Sequence, residues 1–457
     1  MTSPQISTSR WRRAPRMRSS QRTAGRTIGL LAMVFLPLLG CQRTPRDPDV
    51  ILLVVDTLRA KNLSLYGYDR ATSPALEKFA KDAVTYENAV SPGTWSVPAH
   101  ASLLTGRWPS FHGAERVPGD RLLALPINPE VTTLATTLAA GGWRTGGFVA
   151  NTTYLSALFG FDRGFQRYAS DYGFVRADQI TRDVGDWLAS EPGKAFVFVN
   201  ILDPHEPYEP PPPFDTMFPG RNPDFGASMN ELVNVRHERL TPEAIAHFVS
   251  QYDGEIAFTD QALGTFFDRL RKVGRYDSSL IFITSDHGEL LGEHGLAGHG
   301  IAPLEPLIRV PLLVKYPGNR GGGTREERRV TTMAIFATVL QTLGIPTPPG
   351  TQAVPLDQPH PVFVEDIDPV GQRVRIAYDG DHKLVSVTRL DGATQVSLYD
   401  LASDPDESKP RSMGDDVRAL ADELTRFTAL ERPVNIAQRP VIDAEKEAKL
   451  RALGYVR

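Results

Sequence analysis

Three apolar runs, each ending in acidic or histidine side chains, constrain the fold of this chain more than any other feature. They are DVILLVVD at residues 49–56, AFVFVNILDPHEPY at 195–208 and SSLIFITSDHGE at 278–289. A continuous apolar run of this length is typical of a strand buried on both faces, as in a parallel sheet covered by helices. Ligands bind such sheets at the carboxyl ends of the strands. The aspartates and histidines that follow these runs therefore predict a functional site at that edge.

The segments between these runs alternate between helical and strand-like spacing. Helices are predicted for SPALEKFAKDAVTYENA, PEVTTLATTLAAGG, RADQITRDVGDWLASEPGK and the long segment from the cap at Thr241 to Gly274. Two further strands are predicted for WRTGGFVAN and RVPLLVKYPG. The alternation predicts an α/β fold with a mixed, mostly parallel sheet that is covered by helices on both faces.

The character of the sequence changes after Pro349. Residues 373–407 alternate between apolar and polar positions, with Gly and Asp turns, which predicts a small antiparallel sheet. Helical segments follow at 415–430 and 443–455. The organisation we predict is a signal peptide at 1–40, a lipid-anchored tether at 41–48, a catalytic domain at 49–349 and a C-terminal α+β subdomain with a helical tail at 350–457.

The first forty residues have the composition of a targeting segment. They carry seven arginines and no acid or lysine, and the apolar run TIGLLAMVFLPLLG follows the arginines. The run ends in LLGC, which resembles a bacterial lipobox cut before Cys41, the only cysteine of the chain. We predict an exported lipoprotein, anchored to the membrane through Cys41 on the periplasmic or cell-surface side. A plain signal peptide or an uncleaved anchor is the alternative.

The remaining composition is that of a soluble globular protein without a disulfide framework. Hydrophobic residues make up 41% of the chain and charged residues 23%. The formal net charge is −4, and removing the seven N-terminal arginines leaves −11. Because proteins bind nucleic acids by neutralising phosphates with cations, this acidic body excludes nucleic acid as the expected partner.

The strand ends predict a site for one divalent metal ion. Asp56 ends the first run, and Asp286 and His287 end the third. Hard cations prefer carboxylate oxygens, which favours calcium, while the imidazole makes manganese and zinc the alternatives. Ser96, at the head of the segment SVPAHASLLTG, could add an oxygen to the same ion, and a metal ion activates a bound hydroxyl by lowering its pKa. The alternative for Ser96 is a buried helix start capped by its hydroxyl.

At these motifs the chain resembles the sulfatase family of the alkaline-phosphatase superfamily. The resemblance runs through residues 49–113, TSDHGELLGEHG, HGIAPLEPLIRVPLLVKYPG and SLYDLASDPDE, in that order. It implies an alkaline-phosphatase-like fold and hydrolysis of sulfate esters. By position it implies that Asp56, Asp286 and His287 are metal ligands and that Ser96 is the nucleophile. In many members that residue is a Cys or Ser oxidised to formylglycine.

The resemblance also implies roles for two further histidines. His205 matches a residue near the leaving oxygen, and His299 falls near the cation that binds the substrate. Both side chains have a structural alternative, His205 in a rigid proline-rich turn and His299 in a solvated loop. Glu289, Glu293 and His294 are predicted to support the site or lie on the surface, and His112 is predicted to be structural.

The chain departs from the family pattern at three places. His100 stands where modified members carry Arg, so it is predicted to orient the nucleophile, with a structural role at the helix start as the alternative. Thr57 replaces a metal-binding Asp. Where the family has Lys and His, the nearest polar residue is Asn151, which we predict to bind the substrate. Arg59, apart from these departures, is predicted to hold Asp56 or the substrate anion. These differences leave two states of residue 96 open, unmodified serine and formylglycine.

The sequence therefore predicts a metal-dependent hydrolase of sulfate esters with its nucleophile at Ser96. One alternative is a phosphoester hydrolase or phospho-transferase that uses the unmodified serine. A second is a non-catalytic lipoprotein that binds anions or glycans. The expected partners are a sulfate or phosphate ester, including one carried on a glycan, and the membrane that holds the anchor.

Overall fold

A computed structural model describes residues 47–432, except 121, 122, 171, 173, 174, 237, 415 and 416. Cys41, the targeting segment and the helix predicted at 443–455 lie outside the described residues. Among the residues that are described, no helix has both the length and the apolar character needed to cross a membrane.

The described chain contains one large sheet and two smaller ones. The strands are β1 Val50–Val55, β2 Val84–Val90, β3 Arg144–Val149, β4 Arg167–Ala169, β5 Ala195–Ile201, β6 Leu280–Thr284, β7 Leu290–Leu291, β8 Ala297–Gly298, β9 Arg309–Lys315, β10 Arg325–Thr331, β11 Phe363–Ile367, β12 Arg373–Asp379, β13 His382–Thr388 and β14 Thr394–Asp400. The helices are α1 Pro74–Ala80, α2 Ser96–Thr105, α3 Pro109–His112, α4 Leu134–Ala140, α5 Ala177–Ser190, α6 Pro242–Lys272, α7 Glu305–Ile308, α8 Ala334–Leu343 and α9 Arg418–Thr428.

The large sheet has the strand order β10-β2-β9-β6-β1-β5-β3-β4 within the described residues. All neighbouring pairs are parallel except the two pairs that β9 makes with β2 and β6. The prediction of a mixed, mostly parallel sheet is thus confirmed. Strand β1 lies between β5 and β6, so the three apolar runs are adjacent strands that end at the same edge.

Both faces of the sheet are buried, as the apolar runs predict. Alternate residues of β1 point to opposite faces: Val50, Leu52 and Val54 belong to an apolar core that also contains side chains of α2, α4, α8 and α9. Ile51, Leu53 and Val55 belong to a second core that contains side chains of α1, α5 and α6. The six side chains of this strand are fully buried, which explains why the run carries no polar residue between Asp49 and Asp56.

The helix predicted over residues 73–89 is wrong in its second half. Helix α1 ends at Ala80, and Val84–Val90 forms β2, parallel to β10 and antiparallel to β9. Val84, Thr85 and Tyr86 are side chains that favour strands, and the partner strands lie more than 200 residues later in the chain. Because pairing with those distant strands decides the structure here, local apolar spacing was misleading.

The C-terminal sheet is confirmed as a small antiparallel meander in the order β11-β12-β13-β14. One of its faces packs with Val90, Leu290 and the α7 residues Leu307 and Ile308. Helix α9 contributes its apolar side to the core of the large sheet. The C-terminal sheet therefore lies against loops that follow β2 and β6, the strands whose ends carry candidate site residues.

Candidate active site at the carboxyl edge of the sheet

Five polar side chains from four separate segments meet at the carboxyl edge of the large sheet. Asp56 follows β1, Asn151 follows β3, Asp286 and His287 follow β6, and Ser96 is the first residue of α2, which follows β2. All five are at most 1% exposed. Buried polar groups without protein partners are costly, so this concentration marks a site rather than a part of the core.

Among the described residues, only one of the two carboxylate oxygens of Asp56 accepts hydrogen bonds from protein groups. Its Oδ2 accepts hydrogen bonds from Asn151 Nδ2 and from Asn200 Nδ2, both at 3.2 Å. Its Oδ1 is buried and has no hydrogen-bond donor among the described residues. The two amides fix the orientation of the carboxylate and leave one oxygen facing the centre of the site.

Asp286 repeats this arrangement from the neighbouring strand. Its Oδ1 accepts from the backbone amides of His287 at 2.9 Å and Thr57 at 3.3 Å. Its Oδ2 is buried without a hydrogen-bond partner in the described part of the chain. Burial raises the pKa of Asp286, because a charged carboxylate loses hydration there.

The imidazole of His287 is oriented as a neutral hydrogen-bond acceptor at Nε2. Its Nδ1 lies 2.8 Å from the carbonyl oxygen of Gly288; a carbonyl only accepts, so Nδ1 donates and Nε2 carries the lone pair. Burial lowers the pKa of His287 to about 3. Nε2 lies 3.2 Å from Asp286 Oδ2 and 3.8 Å from Asp56 Oδ1.

These groups fit a divalent metal ion. Ligand atoms of Asp56, Asp286 and His287 lie within 4.8 Å of one another. Two carboxylate oxygens without donors and one lone pair face a shared centre, and a bound cation would satisfy all three. Carboxylate oxygens suit calcium and manganese, and the imidazole nitrogen suits manganese and zinc.

Ser96 presents its hydroxyl to the same centre. Its Oγ lies 3.3 Å from His287 Nε2 and accepts a hydrogen bond from Asn151 Nδ2 at 3.4 Å. The residue that caps α2 is Trp95, whose backbone is extended, and Ser96 is the first helical residue. The hydroxyl is therefore directed at the candidate metal site, which favours the nucleophile over the capping alternative.

His100 lies one turn further along α2 and supports the backbone of Ser96. Its Nδ1 donates to the carbonyl oxygen of Ser96 at 2.9 Å and lies 3.3 Å from Asp286 Oδ2. Its Nε2 accepts from Asn200 Nδ2 at 3.4 Å. The ring is fully buried and packs edge-on against Phe198. It touches Ser96, the candidate nucleophile, through the main chain rather than through Oγ.

His205 and His299 extend the site with two more imidazoles. The ring centroid of His299 lies 4.6 Å from that of His287 and 5.0 Å from that of His205. His205 Nδ1 donates to the carbonyl oxygen of Glu206 at 2.6 Å. His299 Nδ1 lies 3.0 Å from Glu289 Oε1. The structure brings His299 next to His287, a candidate metal ligand, and His205 next to His299.

Of the residues predicted to have supporting, surface or structural roles, Glu289 and His112 are buried and His294 is exposed. Glu289 is fully buried, which raises its pKa to about 7, and it holds His299 as described. His294 is exposed and bonds the carbonyl oxygen of Asp406 at 2.7 Å. His112 is buried beside Ser102, with its Nε2 3.0 Å from the serine Oγ, an arrangement within the core of α2 and α3.

Arg59 lies beside the site in an ion pair of its own. Its guanidinium binds Glu293, and its backbone amide donates to Tyr252 Oη at 3.0 Å. Its aliphatic chain lies against Gly288, where an added Cβ would come 3.2 Å from the arginine Cγ. In the described contacts Arg59 pairs with Glu293 and not with Asp56.

Sequence reasoning missed Asn200, which connects three site residues. Its Nδ2 donates to Asp56 and to His100, and its Oδ1 accepts the backbone amide of Asn151 at 2.8 Å. The signal was a single amide inside the otherwise apolar strand AFVFVNI. A buried amide in a strand needs partners on its own face, so this asparagine could have been assigned to the site.

Thr57 shows backbone strain at the same edge. Its φ is 57°, which is unfavourable for a β-branched residue. Its carbonyl oxygen accepts from Tyr252 Oη at 2.7 Å, and its amide donates to Asp286. Such strain is maintained where surrounding contacts over-determine the conformation, as at functional sites.

The sequence of this chain is similar to a known protein family and to several individual proteins. The model of the protein family described as Sulfatase matches residues 48–345. The ulvan-active sulfatase of Formosa agariphila is 25% identical over 77% of this chain and 73% of its own. A multifunctional alkaline phosphatase superfamily protein of Trinickia caryophylli is 25% identical over 77% of this chain and 84% of its own. Human arylsulfatase A is 25% identical over 70% and 69%, respectively.

Solved structures of similar fold extend the match to the C-terminal sheet. The phosphonate monoester hydrolase of Agrobacterium radiobacter superposes with a TM-score of 0.66 at 21% identity, over 84% of this chain and 95% of its own. A protein solved with its substrate D-glucosamine-2-N,6-O-disulfate superposes with a TM-score of 0.68 at 17% identity, over 84% and 97%. Both alignments span nearly all of the neighbour's chain, and they confirm the predicted fold class.

Proposed function

Because this chain belongs to the sulfatase family and is a sulfatase-like ester hydrolase, we propose that it hydrolyses sulfate esters with a divalent metal ion and a nucleophile at residue 96. The observation that carries the proposal is the convergence of Ser96 Oγ with donor-free oxygens of Asp56 and Asp286 and with Nε2 of His287. A non-catalytic binding protein would not need a hydroxyl at this point.

The charge of the site supports a singly charged ester. Asp56 and Asp286 contribute two negative charges, and His287 is neutral. When bound, a divalent cation balances these carboxylates and supplies Lewis-acid stabilisation for the anionic oxygens of the ester. The combined charge is then near zero, which suits a sulfate monoester better than a doubly charged phosphate monoester.

The side chains around Ser96 have separate tasks in this proposal. Asn151 donates to Oγ and so directs the remaining lone pair of the hydroxyl towards the ester. His100 holds the carbonyl of Ser96 and thereby the start of α2. His205 or His299 would protonate the leaving oxygen; their rings lie side by side, and that of His299 adjoins His287.

A second candidate is hydrolysis or transfer of phosphoesters by the unmodified serine. The observation that favours it is His100 at the position where modified members carry Arg, with both ring nitrogens already engaged. A serine that attacks sulfate leaves a sulfo-serine with no route to elimination, whereas a phospho-serine can be hydrolysed by activated water. The Trinickia caryophylli relative is itself named as multifunctional.

The state of residue 96 separates the two candidates. Oxidation of Ser96 to formylglycine would remove two hydrogens from the peptide that contains it, which mass spectrometry of protein from native cells would detect. We expect sulfate turnover with the modified residue and phosphate turnover with the unmodified one. Turnover of aryl sulfate and aryl phosphate is measured on the same sample. Fast sulfate turnover by a fully unmodified Ser96 would contradict this link.

We also propose that the protein is an exported bacterial lipoprotein attached to the membrane through Cys41. Seven arginines, an apolar run and LLGC support the proposal. Cys41→Ser is expected to abolish labelling by a radioactive fatty acid and to release the protein from the membrane fraction. Thr44→Ser, in the polar tether just beyond the cysteine, is the matched control and should stay labelled. A labelled, membrane-bound Cys41→Ser protein would refute the anchor.

A further inference from the structure

Residues 94–96, which we call the nucleophile turn, are contacted by the buried side chain of Arg116. Arg116 is 4% exposed, and its guanidinium carbon lies 4.4 Å from the centre of the Trp95 ring. Trp95 immediately precedes Ser96 and has an extended backbone. The indole also packs edge-on against Tyr154, with 5.5 Å between the ring centroids. The position of the indole, and with it the start of α2, therefore depends on Arg116 and Tyr154.

The same guanidinium binds the loop that carries His299. Its Nη2 donates to the carbonyl oxygen of Gly300 at 3.3 Å. The loop approaches so closely that a Cβ on Gly300 would lie 2.7 Å from this nitrogen. A second link joins the two segments, because the amide of Gly300 donates to the carbonyl oxygen of Thr94 at 3.0 Å. Ser96 and His299 thus belong to segments that share one cation.

The third contact of Arg116 reaches the C-terminal sheet. Its Nε donates to the carbonyl oxygen of Ile367, at the end of β11, at 2.7 Å. The preceding residue, Asp366, accepts a hydrogen bond from the hydroxyl of Thr94. Strand β11 is therefore attached to the nucleophile turn both directly and through the arginine.

We propose that Arg116 is a positioning residue that sets the separation between Ser96 and His299 and connects the C-terminal sheet to the active site. This rests on the proposed function, in which Ser96 attacks and His299 faces the leaving oxygen. A planar guanidinium can donate to two carbonyls in fixed directions and stack its face on an indole at once, whereas an ammonium has no planar face to stack. Arg116 acts on the two site residues through Trp95 and Gly300, their neighbours in the chain, which it contacts directly.

The test compares Arg116→Met, Arg116→Lys and a matched control. Arg116→Met keeps an unbranched apolar stem but removes the guanidinium, with its charge and its donors. We expect kcat to fall by about 100-fold because small misplacements of reacting groups are that costly. KM and the affinity for Mn²⁺, measured by calorimetry, should stay within about threefold, since Asp56, Asp286 and His287 are untouched. Arg116→Lys should recover about tenfold of the lost kcat through the retained cation.

Arg163→Met is the control, because Arg163 also donates to backbone carbonyls, those of Asn128, Pro129 and Gly160, but outside the site. It should lower the melting temperature and leave kcat unchanged. If Arg116→Met is insoluble, Trp95→Phe tests the same contact with a smaller change and should lower kcat in the same direction.

Two results would overturn the positioning role. One is wild-type kcat in a folded Arg116→Met or Trp95→Phe protein. The other is a parallel loss of kcat, Mn²⁺ affinity and melting temperature without recovery in Arg116→Lys, which would indicate a structural role. Ser96→Ala is assayed beside them. If Ser96→Ala is active, the proposed nucleophile is wrong. If Ser96→Ala is inactive and Arg116→Met is fully active, only the positioning role of Arg116 is overturned.

Discussion

Ser96→Ala is expected to lower kcat by at least about 1,000-fold on every ester that the wild-type protein hydrolyses, because removal of a nucleophile leaves only the stabilisation provided by the rest of the site. The hydroxyl is the group that lies 3.3 Å from His287 Nε2 and receives the Asn151 hydrogen bond. No rearrangement is needed to accommodate the methyl group. We therefore expect an unchanged fold and melting temperature within about 2 °C.

The matched control for this variant is Ser102→Ala. Ser102 is buried on the same helix, but its hydroxyl bonds His112 and not the site. Its loss should lower stability by about 1 kcal/mol and leave kcat within about twofold of the wild type. Activity is measured with aryl sulfate and aryl phosphate. Retention of either activity by Ser96→Ala would show that another group attacks the ester.

Asp286→Asn is expected to abolish metal binding and to lower kcat by at least about 1,000-fold, because loss of an activating ion costs several kcal/mol of barrier stabilisation. The change replaces one carboxylate by a neutral amide of the same shape. The change removes one of the two carboxylates, Asp56 and Asp286, that would bind the ion. Excess EDTA should have the same effect on the wild-type protein.

The melting temperature of the metal-free protein tests the metal site without an activity assay. Burial raises the pKa of Asp286, so the carboxylate is unfavourable in this position unless a cation is bound. In EDTA, the melting temperature of Asp286→Asn should therefore equal or exceed that of the wild type. Adding Mn²⁺ or Ca²⁺ should raise the melting temperature of the wild type only, since a ligand stabilises the state that binds it.

Asp260→Asn is the matched control for the metal experiment. Asp260 is also buried, and its carboxylate accepts from the amides of Ala75 and Leu76 at the start of α1. Each oxygen of Asp260 accepts one of these amides, so the NH2 group of Asn would face an N–H donor. This variant should therefore melt at a lower temperature and still respond to the metal ion. Full activity of the wild type in excess EDTA, together with no metal by elemental analysis, would refute metal dependence.

The sequence alone was sufficient for the strands that form the site and for most of its candidate ligands. The apolar parts of DVILLVVD and SSLIFITSDHGE are short and continuous, which is typical of strands buried on both faces. Asp56, Asp286 and His287 follow those strands directly. Since the carboxyl ends of neighbouring parallel strands share one edge, their proximity followed from strand type.

Other parts of the structure depended on contacts between distant segments. Residues 84–90 have helical spacing but form β2, because β9 and β10 supply its hydrogen-bond partners. The amide of Thr57 meets Asp286 across 229 residues of sequence. The role of Asn200 likewise depends on which strands lie beside β5, and no local pattern specifies that order.

The sequence by itself determined which side chains could carry the chemistry, since a buried strand that ends in an acid has few other uses. Only the tertiary structure decided how those side chains face one another. It leaves Asp56 Oδ1 and Asp286 Oδ2 without donors among the described residues, directs Ser96 Oγ at His287 and brings Arg116 between Trp95, Gly300 and Ile367. The physical reason is that apolar patterning is a local property of the chain, whereas strand order, loop packing and the satisfaction of buried polar groups are set by partners far away in the sequence.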